Sequence, residues 1–268
     1  MFIALILIFV LVMLWLLSLR GRTGHPGLDG LRGWSYAHRG LHDETRPENS
    51  MGAFRAALEA GYGIELDVHL LKDGNLAVMH DSVLQRTTGH PGKIEDLTTA
   101  QLSQYTLEHS TETIPEFRQV LDLFRGKAPM IIELKPEGKN HAALCQAVCA
   151  MLDEYEGVFC LESFDPRCIF WLRRHRPDLI RGQLSENFLV TNFSLPYPAR
   201  FLMAANMVNF LTRPDFIAYK FTDRHRIGVR LCRRLYHIQG VAWTLQTRQE
   251  YEEAVKEGWI PIFENFNP

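Results

Sequence analysis

The chain has 268 residues, of which 46% are hydrophobic and 22% are charged. This composition is ordinary for a globular protein with a sizeable core, and the length is typical of a single α/β barrel. The formal net charge of −2 provides no field that attracts nucleic acid, so we expect no nucleic-acid partner. The five cysteines are odd in number and lack CxxC spacing, so they predict no disulfide framework.

Residues 1–19 are apolar and carry no charged side chain. A helix of this length, at about 1.5 Å per residue, nearly crosses a hydrocarbon core roughly 30 Å thick. A cleaved signal peptide would need a basic amino-terminal region and a small-residue cleavage site, and both are missing. The segment therefore predicts a transmembrane anchor in a lipid bilayer, followed by a linker at residues 20–33 that is rich in glycine and arginine.

The charges beside this segment predict its orientation. No lysine or arginine precedes it, whereas Arg20, Arg22 and Arg32 follow it closely. Positive residues that flank a span tend to remain in the cytoplasm. We therefore expect a membrane protein whose remaining domain lies in the cytoplasm, close to the bilayer surface.

Strand-like and helix-like patterns alternate from residue 34 onward. Strands are predicted at residues 34–37, 64–68, 76–79, 130–134, 158–161, 179–184, 207–210, 238–243 and 259–263. Helices are predicted at residues 49–60, 115–124, 141–155, 166–174, 226–236 and 249–257, and an irregular segment at 81–113 contains a short helical patch at 98–105. This alternation indicates parallel βα units, which fit a closed barrel or an open doubly wound sheet. Because no GxGxxG or P-loop motif is present, we favour a (β/α)8 TIM barrel over residues 34–268, with a small insertion after strand 2.

Four groups of polar residues lie where predicted strands end. His38-Arg39-Gly40 closes the first strand, and His80-Asp81 ends the hairpin that follows the second. Glu65 and Asp67 are two residues apart on one strand, as are Glu133 and Lys135 on the next, so each pair projects to one side. In a (β/α)8 barrel such strand ends meet at the face where active sites are built.

These residue types together predict a phosphoryl-transfer site. Carboxylate oxygens suit Mg²⁺ or Ca²⁺ better than Zn²⁺, and two histidines beside such a metal can act as general base and general acid. Arg39 and Lys135 are cationic donors suited to a phosphate. Each group also has a purely structural interpretation, as a satisfied polar residue, a solvated pair or an ion pair, but their convergence at strand ends favours the catalytic one. We interpret His69, which lies further along the same strand, as structural.

The motifs that contain these residues closely resemble the glycerophosphodiester phosphodiesterase family. They are Ala37-His38-Arg39-Gly40, Arg46-Pro47-Glu48-Asn49-Ser50, Ile64-Glu65-Leu66-Asp67-Val68-His69, Lys72-Asp73-Gly74, His80-Asp81, Ile132-Glu133-Leu134-Lys135, Ser163-Phe164-Asp165 and Trp243-Thr244. The similarity runs from about residue 34 to the carboxyl terminus and is dense through about residue 165. It implies a (β/α)8 barrel whose insertion after strand 2 is the 81–113 segment.

The resemblance also implies a role for each matching residue. The paired catalytic histidines match His38 and His80. The ligands of one divalent cation, Mg²⁺ or Ca²⁺, match Glu65, Asp67 and Glu133. Arg39 and Lys135 match the positions that contact the phosphate, and Phe164 and Trp243 those that line the pocket for the glycerol or alcohol portion. The implied reaction is attack of the substrate's own glycerol hydroxyl on phosphorus, which forms a cyclic phosphate that water opens to glycerol 3-phosphate.

The sequence therefore predicts a metal-dependent hydrolase of glycerophosphodiesters that acts at the membrane. One alternative is a lysophospholipase D that acts on lysolipids in the same membrane, and another is an inactive barrel that serves as a membrane-bound binding module. Retention of both histidines and all three carboxylates opposes the inactive barrel. Two positions depart from the family pattern: Ser50 replaces the usual threonine, and residues 262–266 replace a Thr-Asp-x-Pro ending, which puts the role of the last loop in doubt.

Overall fold

The structure, a computed structural model, describes residues 2–108, 110–191 and 195–268. Within these ranges nine strands form one sheet. The strands are β1 (Tyr36–His38), β2 (Gly63–Leu70), β3 (Leu76–Val78), β4 (Met130–Leu134), β5 (Phe159–Ser163), β6 (Arg181–Ser185), β7 (Phe216–Lys220), β8 (Gln239–Leu245) and β9 (Trp259–Phe263).

The sheet closes into a barrel of parallel strands. Its order is β1-β9-β8-β7-β6-β5-β4-β2, and β1 also pairs with β2, so the first and last parallel strands complete the ring. The additional strand β3 is antiparallel to β2 and forms the hairpin predicted from residues 72–75. The predicted eight-stranded parallel barrel is confirmed, and the open-sheet alternative is excluded.

Alternation along each strand separates the barrel interior from the layer beneath the helices. In β4, Ile131 packs with the interior cluster, whereas Met130 and Ile132 pack in the outer core. Successive side chains of a strand point to opposite faces, so Glu133 lies on the interior side with Ile131. The same period places the polar residues at the carboxyl ends of the strands inside the mouth of the barrel.

The helices of the structure surround the barrel and extend from its amino terminus. They are α1 (Phe2–Ser18), α2 (Met51–Glu59), α3 (Gln85–Thr88), α4 (Phe117–Phe124), α5 (His141–Leu152), α6 (Pro166–His175), α7 (Tyr197–Ala204), α8 (Asn209–Thr212), α9 (Ile227–Arg234) and α10 (Arg248–Lys256). A 3-10 helix at Pro26–Gly30 closes the end of the barrel opposite the polar mouth. Leu28 and Leu31 are buried in the interior cluster, and the Tyr36 hydroxyl donates a hydrogen bond to the Leu31 carbonyl. The predicted linker is therefore packed against the barrel.

The irregular segment between β3 and α4 has its own small core. Its buried apolar side chains include Leu84, Ile94, Leu102 and Leu107, and they pack with Met79 from the hairpin. The helical patch predicted at residues 98–105 is a 3-10 helix, Thr99–Gln104, with a capping box between Thr98 and Gln101. This small subdomain packs along the β2–β3 hairpin, against Leu71, Ala77 and Met79.

One predicted strand is wrong. Residues 207–210 do not form a strand, because Asn209 begins the short helix α8, and the corresponding barrel strand is β7 at Phe216–Lys220. A short apolar run does not distinguish a strand from a buried helical turn by its periodicity. Here Met207 and Val208 lead into a helix whose Asn209 is fully buried and whose Thr212 hydroxyl bonds the Val208 carbonyl.

The amino-terminal helix also differs from the prediction. Among residues 2–108, 110–191 and 195–268, no helix combines the length and the apolar character needed to cross a membrane, so a transmembrane span over residues 1–19 is not supported. Met1 lies outside the described residues. The helix ends at Ser18 because the chain then turns into the barrel, where Leu19 is buried and its carbonyl accepts a hydrogen bond from the Asn209 side-chain amide at 3.1 Å.

The point where α1 joins the barrel lies opposite the polar mouth. The Arg22 amide donates a hydrogen bond to the carbonyl of Pro214, just before β7, at 2.8 Å. A Cβ added to Gly21 would lie 2.5 Å from that carbonyl and 2.8 Å from Ile238, just before β8. Strand starts mark the amino-terminal face of the barrel, so α1 leaves the molecule at that face.

Candidate active site

Carboxylates from three adjacent strands meet inside the mouth of the barrel. Glu65 and Asp67 project from β2, and Glu133 of β4 is the direct neighbour of Asp67 in the parallel register. All three are buried, and one ligand oxygen from each lies within 4.8 Å of the others. Glu162 of β5, the register neighbour of Glu133, adds a fourth buried carboxylate.

Two cations and an amide partly compensate this charge. The Lys135 ammonium lies 3.1 Å from Asp67 Oδ1 and 3.0 Å from Glu133 Oε1. The Arg39 Nε lies 3.6 Å from Asp67 Oδ2, and the Asn49 side-chain amide donates to that oxygen at 2.9 Å. Asp67 is therefore the best compensated of the carboxylates.

The electrostatic environment gives these carboxyl groups different pKa values. Burial, and then Asp67 and Glu133, raise the pKa of Glu65 well above its usual value. Burial raises the pKa of Glu133 to about 7, against the opposing effect of Lys135. Burial would also raise the pKa of Asp67, but Lys135, His80 and Arg39 together hold it well below the usual range. The protein's own cations are thus too few to keep every carboxylate ionised.

A tight turn positions the residues that follow β1. Arg39 has φ 55° and Gly40 has φ 82°, and a Cβ on Gly40 would lie 2.9 Å from Ala53. This conformation points the Arg39 backbone amide at Glu65 Oε2, 3.2 Å away. Glycine is favoured at residue 40 because the left-handed conformation disfavours a side chain and the close contact with Ala53 leaves no room for one.

His38 lies between the carboxylate cluster and the last loop of the chain. Its Nδ1 lies 3.0 Å from Glu264 Oε1, and its Nε2 lies 3.9 Å from Glu65 Oε2. Glu264 also contacts His42 Nε2 at 3.1 Å. Burial lowers the pKa of His38, although the hydrogen bond with Glu264 opposes this effect. A neutral His38 donates from Nδ1 to Glu264, which leaves Nε2 free towards the cluster.

His80 has a carboxylate partner of its own. Its Nδ1 lies 2.6 Å from Asp81 Oδ1, and burial lowers its pKa to about 4. Asp81 is held in turn by Arg86, which also donates to both oxygens of Glu48. The two histidines therefore share one arrangement, in which Nδ1 faces a carboxylate and Nε2 is the atom left for chemistry.

An open cavity of about 780 Å³ extends from the carboxylates. His80, Glu133, Lys135 and Phe164 line it. The Phe164 ring packs edge-on against Trp243, with 5.4 Å between the ring centroids. The wall of the cavity beyond the charged groups is thus aromatic and suits the carbon chain of a bound molecule.

The structure brings together the residues predicted from the sequence. The predicted residues are His38, Arg39, Glu65, Asp67, His80, Glu133, Lys135, Phe164 and Trp243. His69 has both ring nitrogens engaged, with Glu95 at 2.7 Å and with the His80 carbonyl at 3.2 Å, as a structural residue would.

Sequence reasoning missed several residues that complete the site. Glu162 could have been found from the strand period, because it follows the interior residue Cys160 by two positions. Glu264 likewise follows the interior residue Ile262 by two positions. Asn49 and Glu48 lie in a quoted motif, but no local pattern assigned them to Asp67 and Arg39.

Comparison with known proteins identifies the family. The model of the glycerophosphoryl diester phosphodiesterase family matches residues 38–266. A glycerophosphodiester phosphodiesterase of Caldanaerobacter subterraneus subsp. tengcongensis is 28% identical over 235 residues, which cover 83% of this chain and 89% of that protein. A glycerophosphodiester phosphodiesterase of Bacillus altitudinis is 42% identical over 107 residues, and there the match spans only 43% of the relative's length.

Solved structures share the fold. A phosphodiesterase of Oleispira antarctica, solved in complex with the product sn-glycerol-3-phosphate, has a TM-score of 0.73 at 19% identity over 91% of this chain and 95% of that one. A glycerophosphodiester phosphodiesterase of Thermotoga maritima has a TM-score of 0.66 at 23% identity over 86% and 93%. At these identities the likeness shows the barrel alone, and the family assignment depends on the sequence match. The chain belongs to the glycerophosphoryl diester phosphodiesterase family and is an enzyme of the phosphoric diester hydrolase class.

Proposed function

We propose that this enzyme hydrolyses glycerophosphodiesters to glycerol 3-phosphate and an alcohol, using His38 and His80 for proton transfer beside one divalent cation. The observation that carries the proposal is the pair of histidines, each oriented through Nδ1 by a carboxylate, beside one buried carboxylate cluster. A general base and a general acid both need a nitrogen that is free and aimed at the reacting atoms.

The proposed reaction needs one proton removed and one proton donated in each of two steps. First, one histidine accepts the proton of the substrate's glycerol hydroxyl as its oxygen attacks phosphorus. The other histidine protonates the departing alcohol oxygen as the P–O bond breaks, which leaves a cyclic phosphate. Water then adds to phosphorus with the histidine roles exchanged, the ring P–O bond breaks, and glycerol 3-phosphate is released.

Arg39 and Lys135 are the proposed phosphate contacts. The Lys135 ammonium has three donors, and its two carboxylate neighbours leave one for a phosphate oxygen. The Arg39 Nε is buried and makes no hydrogen bond to any described residue. Lys135 therefore keeps a donor for a phosphate oxygen, and Arg39 adds positive charge beside the cluster.

Glu65, Asp67 and Glu133 are the proposed ligands of the cation. If all four buried carboxylates were ionised, counting Glu162, the two cations Arg39 and Lys135 would leave a surplus of two negative charges. Oxygen ligands of this kind suit Mg²⁺ or Ca²⁺, and a bound divalent ion would balance the surplus and polarise the phosphoryl oxygen.

The position of α1 favours water-soluble diesters over lysolipids. The helix leaves the barrel at its amino-terminal face, and the cavity opens at the carboxyl ends of the strands. An active site at the far end from an attached membrane is poorly placed to extract a lysolipid from that membrane. The convergence of both histidines and all three predicted metal ligands argues against the inactive barrel.

Attachment to a membrane on its cytoplasmic side is the proposed location. Thirteen large hydrophobic side chains of α1 are exposed, and Arg20, Arg22 and Arg32 follow the helix. An apolar surface of this extent needs a nonaqueous environment. Flanking arginines favour retention of the barrel in the cytoplasm.

The substrate class is tested by measuring glycerol 3-phosphate release from glycerophosphodiesters with different head groups and from lysophospholipids. We expect the soluble diesters to be cleaved with the higher kcat/KM, because the cavity faces away from α1. A higher kcat/KM for lysolipids in micelles would contradict this assignment and favour the lysophospholipase D alternative.

The proton-transfer roles are tested with His38→Ala and His80→Ala. Each should lower kcat by roughly 10²–10⁴-fold, the usual contribution of a general acid or base. Glu264→Gln should cost less, about 10–100-fold, because the ring loses its orienting carboxylate but keeps its nitrogen. His90→Ala, at an exposed position in the insertion, serves as the matched control and should keep full activity. Normal turnover in either catalytic variant would remove that histidine from the mechanism.

Metal dependence is tested by chelation and by calorimetry. EDTA should abolish activity, and Mg²⁺ or Ca²⁺ should restore it, because hard oxygen ligands dominate the cluster. Glu65→Gln, Asp67→Asn and Glu133→Gln should each weaken cation binding measured by titration calorimetry, whereas Glu154→Gln at the exposed surface should not. Full activity after exhaustive chelation would contradict the metal assignment.

The location is tested by protease treatment of intact cells that produce the full chain, followed by detection of the barrel. We expect the barrel to be protected until the cells are opened, and to sediment with membranes. Removal of residues 2–14, all of them exposed, should release the barrel into the soluble fraction with its activity retained. Digestion of the barrel from outside intact cells would refute the cytoplasmic assignment.

A further inference from the structure

A basic cleft lies where α1 joins the barrel. Arg20, Arg22, Arg181 and Arg213 line it, together with Tyr236, and its volume is about 610 Å³. Arg181 begins β6 and Arg213 follows α8, so these residues come from separate parts of the chain. The cleft is at the amino-terminal face, opposite the catalytic cavity.

Backbone carbonyls accept hydrogen bonds from two of these arginines. The Arg181 Nη2 donates to the Arg213 carbonyl at 2.9 Å, and the Arg213 Nη1 donates to the Arg20 carbonyl at 3.1 Å. The hydrogen bond from the Arg22 amide to the Pro214 carbonyl holds the segment that carries Arg20 and Arg22 against the barrel. The guanidinium groups of Arg181 and Arg213 are thus positioned by the fold before any ligand arrives.

The positive charge of the cleft is poorly compensated. Within the described ranges, Asp215 is the acid that forms an ion pair with a cleft arginine, and both of its oxygens contact Arg22. Arg181 is only 3% exposed, and its Nη1 has no hydrogen-bond partner among the described residues. Other nearby charges are Arg173, which adds to the positive potential, and Asp178, which is already paired with Arg176.

The pKa values of Arg181 and Arg213 are also affected by the neighbouring positive charges. Burial, and then Arg22, lower the pKa of Arg181 to about 10. Burial, and then Arg173 and Arg20, lower the pKa of Arg213. Burial is the larger cause of both shifts, and Asp215 opposes the shift of Arg181. A bound anion would favour the charged form of both arginines.

We propose that this cleft binds the phosphate of an anionic lipid head group. Guanidinium groups match a phosphate through paired donors, and Arg20, Arg181 and Arg213 line one cleft.

The source of the phosphate follows from the position of α1. The cleft lies at the end of a helix that exposes thirteen large hydrophobic side chains over a length of about 25 Å. If these side chains enter a bilayer, the arginines immediately after them lie at the level of the head groups. The inference rests on the proposed membrane attachment of α1 and does not depend on the proposed catalytic activity.

The test uses thermal unfolding of the full chain in neutral detergent micelles. Phosphatidylglycerol added at ten times its Kd should raise the midpoint by about 3–5 °C, and phosphatidylcholine should raise it less. Arg20→Gln alone should reduce the shift, since the Arg20 side chain makes no hydrogen bond to a described residue. Arg20→Gln with Arg213→Gln should abolish it, with each shift measured from the variant's own midpoint.

A matched control and an activity measurement complete the experiment. Lys127→Gln removes one exposed positive charge just before β4, at the same face but outside the cleft, and should leave the shift unchanged. All variants should cleave soluble diesters normally, because the cleft is remote from the catalytic cavity.

Four results would overturn the proposal. One is an equal shift in the double variant, and a second is an equal loss in Lys127→Gln, which would indicate diffuse attraction instead of a cleft. The third is a full shift with inorganic phosphate in place of the lipid, which would mean that free phosphate is the ligand. The fourth is membrane sedimentation without a shift by phosphatidylglycerol, which would reject lipid binding by the cleft and keep α1 as the attachment.

Discussion

Mutual repulsion among buried carboxylates is the constraint around which the catalytic end of this barrel is organised. Glu65, Asp67, Glu133 and Glu162 project from neighbouring parallel strands into one water-poor mouth. Ionised groups at such distances inside a protein are stable only with compensating charge. Lys135 reaches two of these carboxylates, and the repulsion that remains is the physical basis of the proposed divalent cation.

The histidines extend this organisation outward. Burial lowers the pKa of each imidazole, and each ring is held by a carboxylate of its own, Glu264 or Asp81. Asp81 belongs to a chain of ion pairs that runs through Arg86 and Glu48 back to Arg39. The orientation of His80 and the position of Arg39, the proposed phosphate contact, are therefore linked through a single network.

The two ends of the barrel serve different purposes. The carboxyl ends of the strands carry the acidic, chemically active mouth, whereas the amino-terminal ends carry the 3-10 plug and an arginine-rich cleft beside an apolar helix. Because the two faces lie at opposite ends of the barrel, a phosphate bound at the proposed cleft would lie well apart from the reacting phosphate. This separation is the physical reason for assigning attachment and catalysis to different faces.

Much of the fold and of the site could be predicted from the sequence, because the relevant signals are local. Period-two patterns and turn residues located most strands, and residues 130–134 and 259–263 were predicted with the bounds observed for β4 and β9. The motifs around His38, Glu65, His80 and Glu133 identified the chemistry as well as the family. The prediction of a strand at residues 207–210 was wrong because a short apolar run carries no information on which partner will bury it. The predicted transmembrane span is not supported because Ser18 and Leu19, apolar or neutral in sequence, turn into the barrel.

The amino-acid sequence by itself determined the residue types of the site, the side of each strand on which they lie and the order of the βα units. Only the tertiary structure decided which distant residues meet. Glu264 contacts His38 across 226 positions because β9 closes the barrel against β1, and a side-chain alternation within either strand does not specify that register. The arginine cleft likewise exists only because residues 20–22 fold back onto the starts of β6 and β7. Local patterns determine which side chains a segment places on each of its sides. Barrel closure and packing determine which residues those side chains contact, since both depend on contacts between segments far apart in the chain.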